Sequence, residues 1–462
     1  MRAVIMAGGL GTRLGPAAAD IPKPMLPIMG KPILEYQIES LKNSGVDVIT
    51  LVIGHLGHLI REYCSDGSKW GVRIEYISED QPLGTAGALY YLKGKVREDF
   101  LLLYGDLMLD VDWNRFMEFH RRHNALITLY GHPNGHPYDS DALVVDGDGR
   151  VIRIEAKNTD RGLECRNFVN AGIYCASPGL LDAIRRPEKM DLEKGVIAKL
   201  LPGKNVFSYR CTEYIKDMGT PERLKAVSAD VKNGIVAARN MKNKQRAVFL
   251  DRDGTVNVWK GFIRSRSQLE LLPGAAKGIR KINASPYLTI VATNQPVAAR
   301  GECTLKELAQ IHIRLEALLG QEGAYIDDLF FCPHHPDRGF EGEIPELKTD
   351  CTCRKPKTGM LSRAAELYNI DLSRSWYIGD TTVDIQTGKN AGMRTILLHT
   401  GEAGKDRKYD AWPDYEAENL SGAADIILQN EYRERADKED TFGLQTEAAG
   451  VFKQGNSGAG EP

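Results

Sequence analysis

The sequence carries almost no net charge. Sixty lysines and arginines offset 62 aspartates and glutamates, leaving −2 at pH 7. That balance gives no electrostatic case for nucleic acid or an anionic membrane as partner. Long apolar runs are also missing, and no stretch approaches the roughly 20 residues of a membrane span. The opening Met1-Arg2-Ala3-Val4-Ile5-Met6-Ala7-Gly8-Gly9 has an apolar run too short for a signal peptide, and it breaks on glycines. A disulfide framework is absent as well. Cys64, Cys165, Cys175, Cys211 and Cys303 are scattered, whereas Cys332, Cys351 and Cys353 gather near histidines. This pattern leads us to expect a metal site and a reducing cytoplasm. There is no internal repeat, and in particular no hexapeptide β-helix pattern. What remains is ordinary globular material. The 462 residues are 42% hydrophobic and 26% charged, enough for two or three domains with sizeable cores.

The most telling stretch is Val248-Phe249-Leu250-Asp251-Arg252-Asp253-Gly254-Thr255. An apolar run stopped by a glycine turn reads as a buried strand. Asp251 and Asp253 then lie at its carboxyl end, where parallel α/β sheets hold ligands. Strand alternation would aim both at one small, highly charged object. Two close carboxylates call for a cation, expected to be Mg²⁺. Downstream, Leu288–Ala292 reads as a strand ending in Thr293-Asn294-Gln295, whose hydroxyl can bind a phosphate oxygen. Arg354-Lys355 supplies fixed cations, and Trp376–Ile378 leads into Gly379-Asp380, with Asp384 four residues on. If a helix starts there, Asp380 and Asp384 share a face. Between these motifs, Cys332-Pro333-His334-His335 and Cys351-Thr352-Cys353 provide a C-x-H…C-x-C set for a structural tetrahedral zinc, read as Cys332, His334, Cys351 and Cys353. His335 is the alternative fourth ligand.

In the first half, Ala3–Ala7 reads as a strand running into Gly8-Gly9-Leu10-Gly11-Thr12-Arg13. Glycines let backbone N–H groups approach a phosphate, and Arg13 adds a bidentate cation. Pro22-Lys23-Pro24 stiffens a loop and fixes where Lys23 points. Ile33 to Asn43 reads as a helix; Val46–Ile53, Val72–Ile77 and Phe100–Tyr104 read as further strands. The alternation implies a parallel α/β sheet. Glu79-Asp80-Gln81-Pro82-Leu83-Gly84-Thr85 is a small-residue turn leading into a helix, with room for a flat base. Asp106 and Asp217 sit on turns suited to a metal. Taken singly, each of these also reads as an ordinary turn or cap.

Together they carry a resemblance. AGGLGTRL, PKPMLPI, PLGTAGAL, YGD, Asn170-Ala171-Gly172-Ile173-Tyr174 and DMGTPERL occur in the order seen in sugar-1-phosphate nucleotidyltransferases. The resemblance implies that Gly8, Gly9, Gly11, Thr12 and Arg13 hold a nucleoside triphosphate. It implies that Gly84 lies by the base, with Gln81 and Thr85 also binding the nucleotide, that Lys23 faces the reacting phosphates, and that Asp106 and Asp217 carry Mg²⁺. Lys157 and Asn170 match positions that contact the sugar phosphate. The family usually has Glu-Lys where this chain has Ala156-Lys157. His136-Pro137-Tyr138-Asp139-Ser140-Asp141 further resembles guanylyltransferases acting on heptose 1-phosphate; as a bare pattern it is also a polar loop.

The second half resembles the haloacid dehalogenase phosphatases, through DxDGT, a strand-end threonine, a lysine and GDxxxD. By that pattern Asp251 attacks phosphorus and Asp253 is acid and base. Thr293 and Lys355 bind the phosphoryl group, with Asn294 and Arg354 beside them, and Asp251, Asp253 and Asp380 hold Mg²⁺. The zinc loop resembles the histidinol-phosphate and heptose 1,7-bisphosphate phosphatases, although those usually have Ser-Gly where Pro296-Val297 stand here. The expected fold is α/β, with two Rossmann-like three-layer domains at 1–235 and 246–432, a linker at 236–245 and a disordered tail at 433–462. The expected activity joins removal of a sugar phosphate to nucleotide activation of the product, with GTP as favoured donor. Two other readings stand beside it: the same pair of reactions on other sugars or histidinol phosphate, and a non-catalytic nucleotide-sugar sensor. The sequence sets no oligomeric state.

Overall fold

The computed structural model describes residues 1–9, 20–157, 159, 161, 165–203 and 205–434. Apolar β-branched runs separated by helices produce two sheets, one in each half. The first has nine strands. At its centre Arg2–Met6 lies parallel to Val48–Ile53 on one side and Phe100–Tyr104 on the other. Chain connections therefore diverge from that strand, which places a crevice at its carboxyl end. Beyond Phe100–Tyr104 the sheet changes character, because Val169–Ala176 runs antiparallel to it. The sheet is thus mixed, not wholly parallel as the alternation implied. Gly87–Leu92, expected to open a helix, is a short 3-10 turn.

The second sheet has six strands, in the order Asp328–Cys332, Tyr287–Asn294, Arg246–Leu250, Trp376–Gly379, Arg394–Leu398, Tyr415–Ala417. Every pairing in it is parallel. Its central strand, Arg246–Leu250, is again the point of divergence. All carboxyl ends open on one edge, so residues far apart in sequence converge there.

The halves are not separate globules. One apolar cluster runs from Ala3, Leu101 and Trp113 through Cys211 and Met241 to Phe249, Leu288 and Met360. The segment read as a linker is packed: Gln245 is buried, and its side-chain amide bonds the carbonyls of Ala238, Asn240 and Asn243. Residues 420–434 form a helix, so positions 433 and 434 of the expected tail are helical. The rest of that tail lies outside the described residues. No described helix is long and apolar enough to cross a membrane.

Candidate active sites

Strand register assembles the site of the second half. Leu250 pairs with Val291 and Ile378, so Asp251 emerges between Thr293 and Asp380. Lys355 Nζ lies 2.8 Å from Asp251 Oδ1 and 2.6 Å from Asp384 Oδ1. Asp251, Asp380 and Asp384 offer oxygens that all lie within 4.8 Å of one another, and all three residues are buried. Three buried carboxylates against one lysine leave uncompensated negative charge, which a divalent cation fits. Burial, followed by neighbouring carboxylates, pushes the Asp380 carboxyl up to about 8. Burial likewise raises Asp251 to about 6, against the pull of Lys355. Gly254 has φ +78°, and a Cβ there would stand 2.3 Å from Asp380 Oδ2. The turn thus needs glycine for both conformation and space.

Two carboxylate pairs are arranged differently from what local periodicity implies. Asp253 is close enough for its charge to raise the Asp251 carboxyl, but its side chain takes its own set of partners. The strand stops at Leu250, so alternation does not continue through the turn. Its carboxylate accepts bonds from Arg252 at 2.9 Å, Gln295 at 2.7 Å and Asn257 at 2.9 Å, and stands outside the three-carboxylate group. Asp380 and Asp384 do not share a helix face either. The helix begins at Thr382, and Thr381 and Asp384 form a reciprocal cap. Asp384 reaches the group from the first helical turn and Asp380 from the strand end. Thr293 is buried and its hydroxyl accepts from Gln295 Nε2 at 3.1 Å. Asn294 and Lys355 exchange two hydrogen bonds between side-chain amide and backbone, which pins the lysine's chain segment.

That segment leaves directly from a second cluster. Cys332, His334, Cys351 and Cys353 bring three sulfurs and His334 Nδ1 together at 3.2–3.6 Å. A tetrahedral zinc with ~2.3 Å bonds separates its sulfurs by roughly 3.8 Å, so this donor set suits that ion. His335 Nδ1 instead accepts from Asp337 N at 3.2 Å. Arg354 donates to the His334 carbonyl at 3.1 Å. Strand pairing sets Cys332 opposite Asn294, so the cluster lies against the strand end that carries Thr293 and Asn294.

In the first half, strand Tyr214–Asp217 pairs antiparallel with Leu107–Asp110, matching Asp217 to Leu107. Asp106 and Asp217 are thereby neighbours. Lys23 Nζ lies 3.5 Å from Asp106 Oδ2, and Arg223 Nη1 lies 2.7 Å from both Asp217 oxygens. Burial raises the Asp217 carboxyl, but the bond and charge of Arg223, the Gly219 N–H and His136 together outweigh it, and the net shift is downward. A cavity of about 600 Å³ opens beside them, lined by Asn134, His136, Lys157, Asn170 and Glu193 among others. Asn170 Nδ2 bonds Tyr174 Oη at 2.8 Å and Glu193 Oε1 at 3.3 Å. Asp141 holds the Lys157 backbone N–H at 2.9 Å.

Sequence reasoning missed Glu193, Arg223, the Arg252–Gln295–Asn257 cradle, and Glu79. Arg223 lies inside DMGTPERL, and Glu79 opens the small-residue turn, so both stood in quoted motifs. Glu79 Oε1 accepts from Leu83 N at 3.1 Å, while Oε2 sits where a Cβ on Gly8 would be, only 2.5 Å away. Burial pushes this carboxyl upward. By contrast Gln81 and Gly84 are exposed, and Thr85 Oγ1 accepts from Leu192 N at 2.7 Å. Gly9 is exposed at the end of the described loop. Gly11, Thr12 and Arg13 lie outside the described residues.

Comparison with known proteins matches the chain half by half. The nucleotidyl transferase family model matches residues 2–234, and a HAD-hydrolase-like model matches residues 352–423. The mannose-1-phosphate guanylyltransferase of Mycobacterium tuberculosis is 32% identical over 236 residues, which cover 50% of this chain and 65% of that one. The D-glycero-D-manno-heptose-1,7-bisphosphate 7-phosphatase of Thermosynechococcus vestitus is 38% identical over 186 residues, which cover 39% of this chain and 94% of that one. The crystal structure of HddC from Yersinia pseudotuberculosis aligns over 50% of this chain and 99% of its own, with 26% identity and a TM-score of 0.43. The chain therefore belongs to the nucleotidyl transferase family through its first half and to the heptose-bisphosphate phosphatase family through its second, and it is an enzyme with a nucleotidyltransferase half and a phosphatase half.

Proposed function

We propose that the second half removes the 7-phosphate of D-glycero-D-manno-heptose 1,7-bisphosphate. The first half then transfers GMP from GTP to D-glycero-α-D-manno-heptose 1-phosphate, giving GDP-heptose and pyrophosphate. The observation that carries this reading is the union, in one chain, of a phosphoryl-cleaving edge matched to heptose bisphosphatases and a nucleotidyl site. The product of the first step is the acceptor of the second.

In the phosphatase step, Asp251 attacks phosphorus and the bond from phosphorus to O7 breaks. Asp253 gives the leaving alkoxide its proton, then takes one from the water that cleaves the aspartyl-phosphate. Arg252, Gln295 and Asn257 hold the ionised Asp253 carboxylate ready for that second transfer. Lys355 and Thr293 bind the phosphoryl oxygens, with Asn294 and Arg354 shaping the edge. Mg²⁺ held by Asp251 and Asp380, with Asp384 supporting, supplies electrostatic stabilisation when bound. Zinc held by Cys332, His334, Cys351 and Cys353 is structural.

In the transfer step, a sugar-phosphate oxygen attacks the α-phosphorus and pyrophosphate leaves. Lys23 and Arg13 offset the growing charge. Asp106 and Asp217 are the ligands for Mg²⁺, and Lys157 and Asn170 face the acceptor. Gly8, Gly9, Gly11 and Thr12 cradle the triphosphate. Gln81, Gly84 and Thr85 frame the base pocket, and Glu79 reads the base. Guanine presents two adjacent donors, N1–H and the N2 amino group, and a carboxylate accepts both. No other common base offers that pair on one edge.

The test uses purified protein, Mg²⁺, and the α and β anomers of the bisphosphate, each with GTP, ATP, CTP, UTP or dTTP. GDP-heptose from the α anomer is expected. Orthophosphate without a nucleotide sugar from any donor overturns the first-half assignment. Nucleotidyl transfer to mannose 1-phosphate in preference to the heptose overturns the substrate.

A further inference from the structure

The loops that frame the acceptor cavity of the first half are held from outside that half. Helix Leu305–Gln321 belongs to the phosphatase half, and Glu316 on it is only 4% exposed. Its Oε2 accepts from the backbone N–H of Asn167 at 2.9 Å, and its Oε1 lies 3.4 Å from Arg166 Nε. Asn167 passes the constraint on. Its side chain exchanges two bonds with the backbone of Asn134, at 3.1 and 2.7 Å. Asn134 begins the loop that carries His136, and both line the cavity. Three residues after Asn167 stands Asn170.

A second contact reaches the same loop independently. Tyr138 Oη donates to the Ala317 carbonyl at 3.2 Å. Gly320 leaves room for Pro137, whose Cγ would lie 2.7 Å from a Cβ at position 320. The lining of the cavity is also partly phosphatase, including Arg280, Asn283 and Tyr325.

We propose that the phosphatase half is a working part of the acceptor site, and that Glu316 is a positioning residue for nucleotidyl transfer. It acts through Asn167 on the loop at 134–141, although it makes no contact with the phosphatase edge at Asp251. The physical basis is that a buried carboxylate holding a backbone N–H and an arginine is a stiff joint, and such charge-assisted bonds are stronger than neutral ones. The inference rests on the reading above that Asn170 and Lys157 face the sugar phosphate.

The experiment compares full-length Glu316→Ala, Glu316→Gln and Tyr138→Phe with the parent protein. Initial rates of nucleotidyl transfer are measured against sugar 1-phosphate and against nucleoside triphosphate, and orthophosphate release is measured in parallel. Whichever sugar 1-phosphate the parent turns over serves as acceptor, so a wrong sugar assignment shows in the parent and not in the variants. For Glu316→Ala, KM for the acceptor is expected to rise about tenfold or more, with KM for the triphosphate and the phosphatase rate unchanged. Glu316→Gln keeps an acceptor for the Asn167 N–H and should recover most of the loss. Tyr138→Phe should raise the acceptor KM by about threefold, roughly what one lost hydrogen bond gives. Equal acceptor KM in all variants overturns the proposal. So does a parallel fall of both activities, or a rise in both KM values together, since either reports general loosening.

Discussion

Asp251 and Asp253 are two positions apart, yet they live in different surroundings. Asp251 faces Lys355 and two more carboxylates, whereas Asp253 is surrounded by N–H donors. Asp251→Asn removes the proposed nucleophile and should lower phosphate release by roughly 10³-fold or more, while nucleotidyl transfer stays intact. Phosphatase turnover persisting in that variant would exclude Asp251 as the attacking group. The same carboxylates predict a pH effect. Asp251 and Asp380 have carboxyls raised from 3.8 to about 6 and about 8. As pH rises through that window, the unfolded chain has already released protons that the metal-free native site retains. Native stability without metal therefore falls with rising pH. Bound Mg²⁺ replaces those protons, so the rise in Tm on adding it should be larger at about pH 8.5 than at about pH 5. Equal shifts at both values would remove the cation from this group. At the proposed base contact, Glu79→Gln substitutes a donor for one acceptor. GTP kcat/KM should fall about 10- to 100-fold while that for UTP changes little, measured side by side on one preparation.

At the scale of elements, strand ends were the legible feature. Phe100–Tyr104 was read to the residue, and the helix Ile33–Lys42 within one. Leu288–Ala292 proved the centre of the longer strand Tyr287–Asn294. Periodicity and glycine turns are local, and they report where an element stops. They do not report its partner. Val169–Ala176 reads equally well as a parallel or an antiparallel strand, and only its pairing with Phe100–Tyr104 decides. The loop from Cys332 to Cys353 is an element held by its ends. Metal extraction with a chelator, or Cys353→Ser, should lower Tm and phosphate release together, because Lys355 follows Cys353 by two residues. Mg²⁺ alone should not restore the rate, and zinc should restore it to the chelated parent but not to the variant.

At the scale of the molecule, the continuous core and the joint between halves predict a single unfolding event. Arg239 and Asp327 form a pair at 3.1 Å across that joint, with side chains 5% and 2% exposed. Asp327 also accepts from Thr289 N at 2.7 Å. Asp327→Ala would strand a buried guanidinium and should cost about 3–5 kcal/mol of stability. Calorimetry should show one transition in the parent, moved down in the variant, with both activities lost over the same temperature range. Two resolved transitions in the parent would mean that the halves unfold independently.

The sequence by itself determined what is chemically local. Asp-x-Asp-Gly-Thr after an apolar run, glycines before Arg13, and paired cysteines around His334 each state a reactive group and a turn within a few residues. That sufficed for two phosphate-handling halves. The tertiary structure alone decided which neighbours those groups meet. Gln295 claims Asp253 across 42 positions of chain, Glu193 reaches Asn170 across 23, and Glu316 reaches Asn167 across 149. Such contacts leave no periodic trace in sequence, because packing selects them only after the sheets have formed and brought distant strand ends to one edge.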